Sequence, residues 1–177
     1  MGKHIQMDPS TEARVKRGEV VCKTEPVPGY PTPKLTVHAL VEKPVTRVWA
    51  LIEASQNYAQ YMPRVKNAKE LSRNGDTVRC QQTIEMPFPL KNLTSTTEAK
   101  HTVIEGELYK REWKLVQGDY KRNEGAWMFE PFEGDQNRTL VQYQIHAEPK
   151  TKIPKKLQSL VQEKAMPKLI KVLRDNA

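Results

Sequence analysis

The sequence predicts an α+β domain: a curved antiparallel sheet of about seven strands wrapped around one long C-terminal helix, with two short helices after the first strand. Three observations carry this. Consecutive segments from residue 64 to 149 have strand character and are joined by short turn sequences, the pattern of an antiparallel meander. An amphipathic stripe from 154 to 174 closes the chain. The only large apolar surface available to that stripe is the concave face of the sheet.

Taken in order, Pro9 to Arg17 reads as a short helix, with Asp8 or Ser10 as its cap and Gly18 as its end. It belongs to an N-terminal extension, residues 1–17, ahead of a single domain at 18–177. Glu19 to Thr24 is a brief extended run, closed by the turn-rich stretch Pro26 to Pro33. Lys34 to Glu42 is the first full strand, with Leu35, Val37, Ala39 and Val41 on one face. The period then changes. Pro44 suits the first position of a helix, and Val45, Val48, Trp49 and Ile52 follow at spacings of three and four. A second helix is predicted from Ser55, as cap, to Tyr61, with Pro63 ending it. Strands are predicted near 64–73, 76–86, 93–105, 107–117, 120–132 and 138–149, with turn chemistry at Asn74-Gly75-Asp76, Gly106, Gly118-Asp119 and Glu133-Gly134-Asp135. Pro87 and Pro89 flank Phe88, so the chain should leave the ladder there. In the last helix, Leu157, Leu160, Val161, Ala165, Met166, Leu169, Ile170 and Leu173 share a face, and Pro167 should bend or weaken one turn.

The 177 residues are 37% apolar and 28% charged, enough to bury a core that hides roughly 70% of the unfolded surface. No stretch approaches the roughly 20 apolar residues of a membrane-spanning helix. Met1 to Met7 carries no apolar leader segment before Asp8 and Pro9, which predicts a cytoplasmic location. Cys22 and Cys80 are far apart and form no CxxC pair, so both are expected to be reduced. The net charge is +8, and Lys150 to Ala177 holds six of those charges. Such a basic tail is either the solvated face of an amphipathic helix or an attraction for lipid head groups, RNA or acidic surfaces.

Several segments together resemble the START-related helix-grip (SRPBCC) superfamily. The likeness is strongest to its polyketide cyclase/dehydrase-like branch, which includes coenzyme Q-binding and ribosome-associated proteins. They are Gly18-Glu19-Val20-Val21, Val45-Thr46-Arg47-Val48-Trp49, Tyr58-Ala59-Gln60-Tyr61-Met62-Pro63-Arg64-Val65, Glu112-Trp113 with Gly118, Gly125-Ala126-Trp127 with Pro131, Thr139-Leu140-Val141-Gln142-Tyr143, Ile153-Pro154 and the final helix. The resemblance spans roughly residues 18–175. It implies a helix-grip fold with an apolar cavity between the sheet and the last helix, and it leaves function open, because members include carriers and enzymes.

Strand alternation assigns the cavity walls independently. Tyr109, Arg111, Trp113 and Leu115 share one face, as do Gly125, Trp127 and Phe129, as do Val141, Tyr143 and Ile145, and as do Val78, Cys80, Gln82, Ile84 and Met86. Such walls either fill an ordinary core or bind a small molecule, with sparse polar groups orienting it. Arg111 is the sharpest candidate, because a guanidinium on an apolar face requires a partner: a ligand anion, an internal acid, or water at a rim. Tyr143 and Gln82 are weaker polar candidates. Tyr61, Met62 and Phe88 would form an adaptable gate near the mouth. Met166 and Ile170 would belong to the lid, and Trp49 would anchor the first helix to the sheet.

No metal or cofactor is expected, since the histidines show no HxxxH or HExxH spacing and no phosphate-binding glycine loop occurs. No catalytic constellation is evident either. The leading expectation is binding or transport of a hydrophobic small molecule, such as a lipid, quinone or polyketide-like compound, with transient contact to an anionic membrane surface. The alternatives are a cyclase or dehydratase using the same cavity, and a ribosome- or RNA-associated module using the basic helix.

Overall fold

A computed structural model describes residues 4–177, apart from the side chains of 159–163. Its elements are α1 (Pro9–Lys16), β1 (Val21–Glu25), β2 (Lys34–Val41), α2 (Val45–Glu53), a 3-10 turn (Ser55–Asn57), α3 (Tyr58–Tyr61), β3 (Val65–Asn74), β4 (Thr77–Ile84), β5 (Leu93–Ile104), β6 (Leu108–Gly118), β7 (Tyr120–Phe132), β8 (Asp135–Pro149) and α4 (Lys155–Asn176). The strands form one open sheet in the order β1-β2-β8-β7-β6-β5-β4-β3, antiparallel throughout. The sheet has eight strands rather than about seven. The additional one is β1, the brief extended run, which gains strand character by pairing along β2 from Val21↔His38 to Glu25↔Lys34.

Asp8 caps α1, its Oδ1 accepting the Thr11 N–H at 2.8 Å. Gly18 follows the helix with φ of 86°, a left-handed conformation open to glycine at little steric cost. Ser55 does not cap by its side chain: its Oγ is buried without a partner, because the chain enters a 3-10 turn there before α3. α4 runs through Pro167 as one helix. Leu160 and Val161, counted in its apolar face, lie outside the described side chains.

The main core fills the concave side of the sheet. Val45, Val48 and Ile52 of α2 pack with Val37, Ala39, Val41, Phe129 and Val141 from the strands, and with Ile170, Leu173 and the terminal Ala177 from α4. Arg174 fastens that end, donating from Nε and Nη2 to the Leu40 carbonyl at 3.2 and 2.9 Å. Among the described residues of α4, those packed this way lie in its C-terminal half, and that asymmetry positions the site. Among the described residues no helix is long and apolar enough to cross a membrane.

The other face of the sheet carries a second core. Ile5, Met7 and Val15 of the extension cover Val21, Leu40, Phe132 and Leu140. Glu130 lies beneath them, 1% exposed, with Oε2 accepting the His4 N–H at 2.8 Å and the Ile5 N–H at 3.4 Å. A buried donor stripped of its acceptor costs about 1–3 kcal/mol. Glu130→Ala therefore lowers stability by that amount, and Tm by about 2–4 °C per kcal/mol at this chain length. Glu130→Gln, which keeps a carbonyl oxygen, retains most of it. Thermal unfolding of both variants beside the wild type checks this.

Candidate functional site

Between the inner face of the sheet, α3 and the N-terminal half of α4 lies a cavity of about 280 Å³, walled by residues that include Met62, Val65, Thr97, Trp113, Trp127, Tyr143 and Leu169. A second space of about 190 Å³ lies toward the start of α4 and is almost wholly apolar, with Pro33, Leu35, Met86, Leu90, Leu93, Ile153 and Leu157 among its walls. Ile84, Tyr120, Ile145, Ala147, Ala165 and Met166 line both, so the two adjoin at a common neck. Small-molecule sites typically enclose about 300–1,000 Å³; each space alone falls short of this and the two together reach it. A larger depression, about 630 Å³, lies mainly on the opposite face of the sheet, among Glu98, Lys100, Glu112 and Lys114.

The aromatic wall is ordered by contact. Tyr143 stacks on Trp113, with centroids 6.0 Å apart, and meets Trp127 at 4.4 Å. Gly125 makes room for this: a Cβ there would sit 2.1 Å from the Gln144 carbonyl oxygen and 2.6 Å from the Trp113 ring. β6 and β7 pair only from Tyr109↔Phe129 to Trp113↔Gly125, and they part toward their connecting turn. Asn123 spans the opening with its side chain. Its Oδ1 accepts Trp113 Nε1–H at 3.1 Å and its Nδ2 donates to Ser95 Oγ at 3.4 Å. The Tyr143 hydroxyl has no hydrogen-bond partner among the described residues, and burial pushes its pKa up, so it stays a protonated donor at the cavity wall. Burial pushes Tyr120 up to about 12.

Arg111 is 3% exposed and lines the same cavity. Its Nη1 donates to His101 Nε2 at 2.9 Å and to the Glu53 carbonyl at 3.5 Å, and its Cζ lies 5.7 Å from the Tyr58 ring centroid. Burial, then the neighbouring Arg111 and Arg73, holds His101 down to about 4, so the imidazole is neutral and able to accept. The last carbonyls of α2 gather further donors: Tyr61 Oη donates to Leu51 O, Tyr58 Oη to Ile52 O, and Arg73 Nη2 to Glu53 O at 3.1 Å. These are the orphan acceptors at the negative end of a helix dipole, which makes the position favourable for a cation. Among the described residues Arg111 forms no ion pair, and its Nε and Nη2 donors meet no protein acceptor. The sequence left its partner open; inside the protein it is a neutral histidine and a helix end rather than an acid.

Of the candidate residues, Met62, Arg111, Trp113, Trp127, Tyr143 and Met166 come together around the larger cavity, and Met86 joins Met166 at the smaller. Five others stand outside these walls. Tyr61 is turned away because its hydroxyl serves the end of α2. Phe88 is 96% exposed and is no inner gate, because its flanking prolines carry it out of the ladder. Tyr109 faces inward but packs under Trp49, with its hydroxyl accepting the Gly106 N–H at 3.2 Å. Phe129 and Ile170 are fully buried core residues. Trp49 does join α2 to the sheet, edge-on to His101 with centroids 5.1 Å apart.

Sequence reading missed Tyr58, Ser95, Thr97, Tyr120, Asn123 and the small neck residue Ala147, and it placed Ala165 on the apolar face of the last helix without assigning it to the site. Asn123 was within reach, sharing parity with Gly125 and Trp127. Tyr120 was not, because a register shift between Tyr120 and Arg122 breaks the alternation. Ser95 and Thr97 lie in a polar run with a shift at Thr96/Thr97, where no apolar signal marks the inner face.

Residues 41–174 match the model of a family described as polyketide cyclase/dehydrase and lipid transport. Solved structures share the fold. The STAR-related lipid transfer protein of Xanthomonas axonopodis is 17% identical, with a TM-score of 0.75 over 89% of this chain and 97% of that one. Human StAR-related lipid transfer protein 5 is 9% identical, with a TM-score of 0.76 over 94% and 91%. The Zhui aromatase/cyclase of Streptomyces sp. R1128 is 13% identical, with a TM-score of 0.63 over 81% and 92%. Among curated proteins none matches the chain in sequence.

The depressed pKa of His101 makes stability depend on pH. The unfolded histidine takes up its proton near 6.5 and the folded one only near 4. The unfolded state thus binds more protons in that window, and stability falls as pH drops through it, by on the order of 2 kcal/mol. In His101→Gln, whose amide oxygen can accept from Arg111 without titrating, this part of the acid slope disappears. Chemical unfolding at a series of pH values between these limits measures it.

Proposed function

This chain belongs to the polyketide cyclase/dehydrase and lipid transport family, and from that premise we propose that it binds and carries a hydrophobic small molecule: a lipid, a quinone or a polyketide-like compound. The guest lies across both spaces. Its polar end meets Arg111 and Tyr143, and its apolar body passes the neck of Ala147 and Ala165 toward the start of α4. The observation that carries this reading is the buried guanidinium with donors left over at a mainly apolar wall. A carboxylate, enolate or phenolate oxygen is the group that matches it. Affinity comes mainly from apolar area withdrawn from water, at roughly 25 cal/mol per Å². The basic start of α4 supports loading and delivery at an anionic membrane surface.

The likeness to an aromatase/cyclase, together with the Arg111–His101 pair, favours a second reading: cyclase or dehydratase chemistry in the same cavity. There Arg111 would stabilise a developing enolate. Turnover of a polyketide-like substrate, lost in Arg111→Met, separates this reading from carriage.

Displacement of a fluorescent apolar probe by dodecanoate and by dodecanol tests the carrier reading. A hydrogen bond to a charged group is worth about 1.5–3 kcal/mol, so the wild type should prefer the acid by about tenfold or more. Arg111→Met should erase that preference while leaving the alcohol bound. Ala147→Trp, which fills the neck, should weaken both by at least about tenfold with the fold intact by circular dichroism. Undiminished uptake in Ala147→Trp would place the guest elsewhere.

A further inference from the structure

Among the described residues, Arg64 and Glu133 are the two other than glycine with a positive φ, 65° and 53°. Glu133 stands in the exposed turn between β7 and β8, whereas Arg64, between α3 and β3, lines the larger cavity. Glycine would hold this backbone at less cost, so what the position keeps is the side chain. The backbone is pinned in place: the Glu85 N–H donates to the Arg64 carbonyl at 2.7 Å, and Arg64 Nε donates to the Glu85 carbonyl at 3.0 Å. Both Nη groups are left over. Among the described residues they meet no acceptor, and Arg64 forms no ion pair. Tyr120 lines the same cavity and the smaller one, is 8% exposed, and its hydroxyl has no hydrogen-bond partner among the described residues. The Arg64 charge acts on that hydroxyl, but burial and Asp119 outweigh it and keep the phenol protonated. This pair is remote from Arg111. On β5 the residue opposite Arg111 is His101, and the residue opposite Ile84, which precedes Glu85, is Leu93. The eight residues from one level to the other cover roughly 26 Å of strand, with Thr97 and Ser95 on the cavity wall between.

We propose that Arg64 and Tyr120 form a second polar subsite, at the neck, that takes a hydroxyl or carbonyl oxygen part-way along the guest. The preferred guest is then a long-chain acid oxygenated at mid-chain. Its carboxylate meets Arg111, its second oxygen meets the neck, and its apolar tail fills the smaller space. An oxygen is the match because both groups have hydrogens to donate. An unsubstituted acyl chain would lay hydrocarbon over the guanidinium and the phenol, displacing water from them and returning no acceptor. The inference rests on the carrier reading and deepens it by naming the class of guest.

Displacement of a fluorescent apolar probe from the full chain by octadecanoate, 12-hydroxyoctadecanoate and 2-hydroxyoctadecanoate tests it. The wild type should bind the 12-hydroxy acid about tenfold more tightly than octadecanoate, the gain of a hydrogen bond to a charged group. The 2-hydroxy acid, whose hydroxyl lies at the Arg111 end, should show no such gain. Arg64→Gly should bring the 12-hydroxy acid down to the level of octadecanoate. Glycine suits a φ of 65°, so the Tm of this variant should not fall, and lost preference is then not lost folding. Tyr120→Phe should lower the preference by about threefold. Equal displacement by the 12-hydroxy and unsubstituted acids overturns the proposal, as does a preference that survives in Arg64→Gly. A gain of the same size from the 2-hydroxy acid overturns it too. In each of those results octadecanoate still displaces the probe, and the carrier reading stands without the subsite. Failure of all three acids to displace the probe from the wild type overturns both.

Discussion

The carboxyl end of α2 is the constraint on which the site depends. Three successive carbonyls there, those of Leu51, Ile52 and Glu53, are met by Tyr61, Tyr58, Arg73 and Arg111. A helix that ends inside a protein must have its last acceptors satisfied, and the donors that do so are thereby fixed in place. Tyr58 and Tyr61 draw α3 back along α2, and Arg111 is held from β6 across the cavity wall. The same contact supplies the local negative potential that makes a guanidinium tolerable there, with His101 kept neutral as a second acceptor. The cationic pole of the cavity is therefore a by-product of capping a short helix.

The hollow persists because packing is uneven along α4. Its final turns are locked into the core by Ile170, Leu173 and Arg174. Its earlier part presents Ala165 and Met166 to a stretch of sheet where Ala147 is small and where β6 and β7 have separated. Short side chains at the neck leave space that larger ones would close, while Gly125 lets Trp113 lie against its neighbouring strand. An apolar void of this kind loses dispersion contacts on every side, so a guest of matching shape restores attraction the protein itself forgoes.

Much of the architecture was legible because its signals are periodic. The change from alternate residues to spacings of three and four at Pro44, and back at Arg64, marked the helices. Strand parity brought Arg111, Trp113, Trp127 and Tyr143 to one face, where the structure has them. Parity tells which side of a sheet a residue faces, however, and not how deep it lies. Phe129 and Ile170 are on the right side, yet they sit in solid core, and Tyr61 is claimed by a hydrogen bond that no spacing rule reveals. A register shift at Tyr120/Arg122 reverses the alternation locally and hid one part of the wall, while Ser95 and Thr97 keep the inward phase of β5 but lie in a polar run that announces no inner face. The covering of the outer face by Ile5, Met7 and Val15 was equally hidden, since a few scattered apolar residues announce no partner.

That outer covering changes what counts as the folding unit. Glu130 is a sheet residue whose carboxylate is answered by main-chain amides from the first few residues of the polypeptide. The leading segment is accordingly a structural plug whose main-chain amides bind a buried acceptor, and those amides belong to the second core as fully as any strand. Trimming the protein back to the boundary of its family match would strip the Glu130 carboxyl, buried in an apolar recess, of the main-chain donors it now has, which makes that boundary a poor guide to where an expressible fragment should begin.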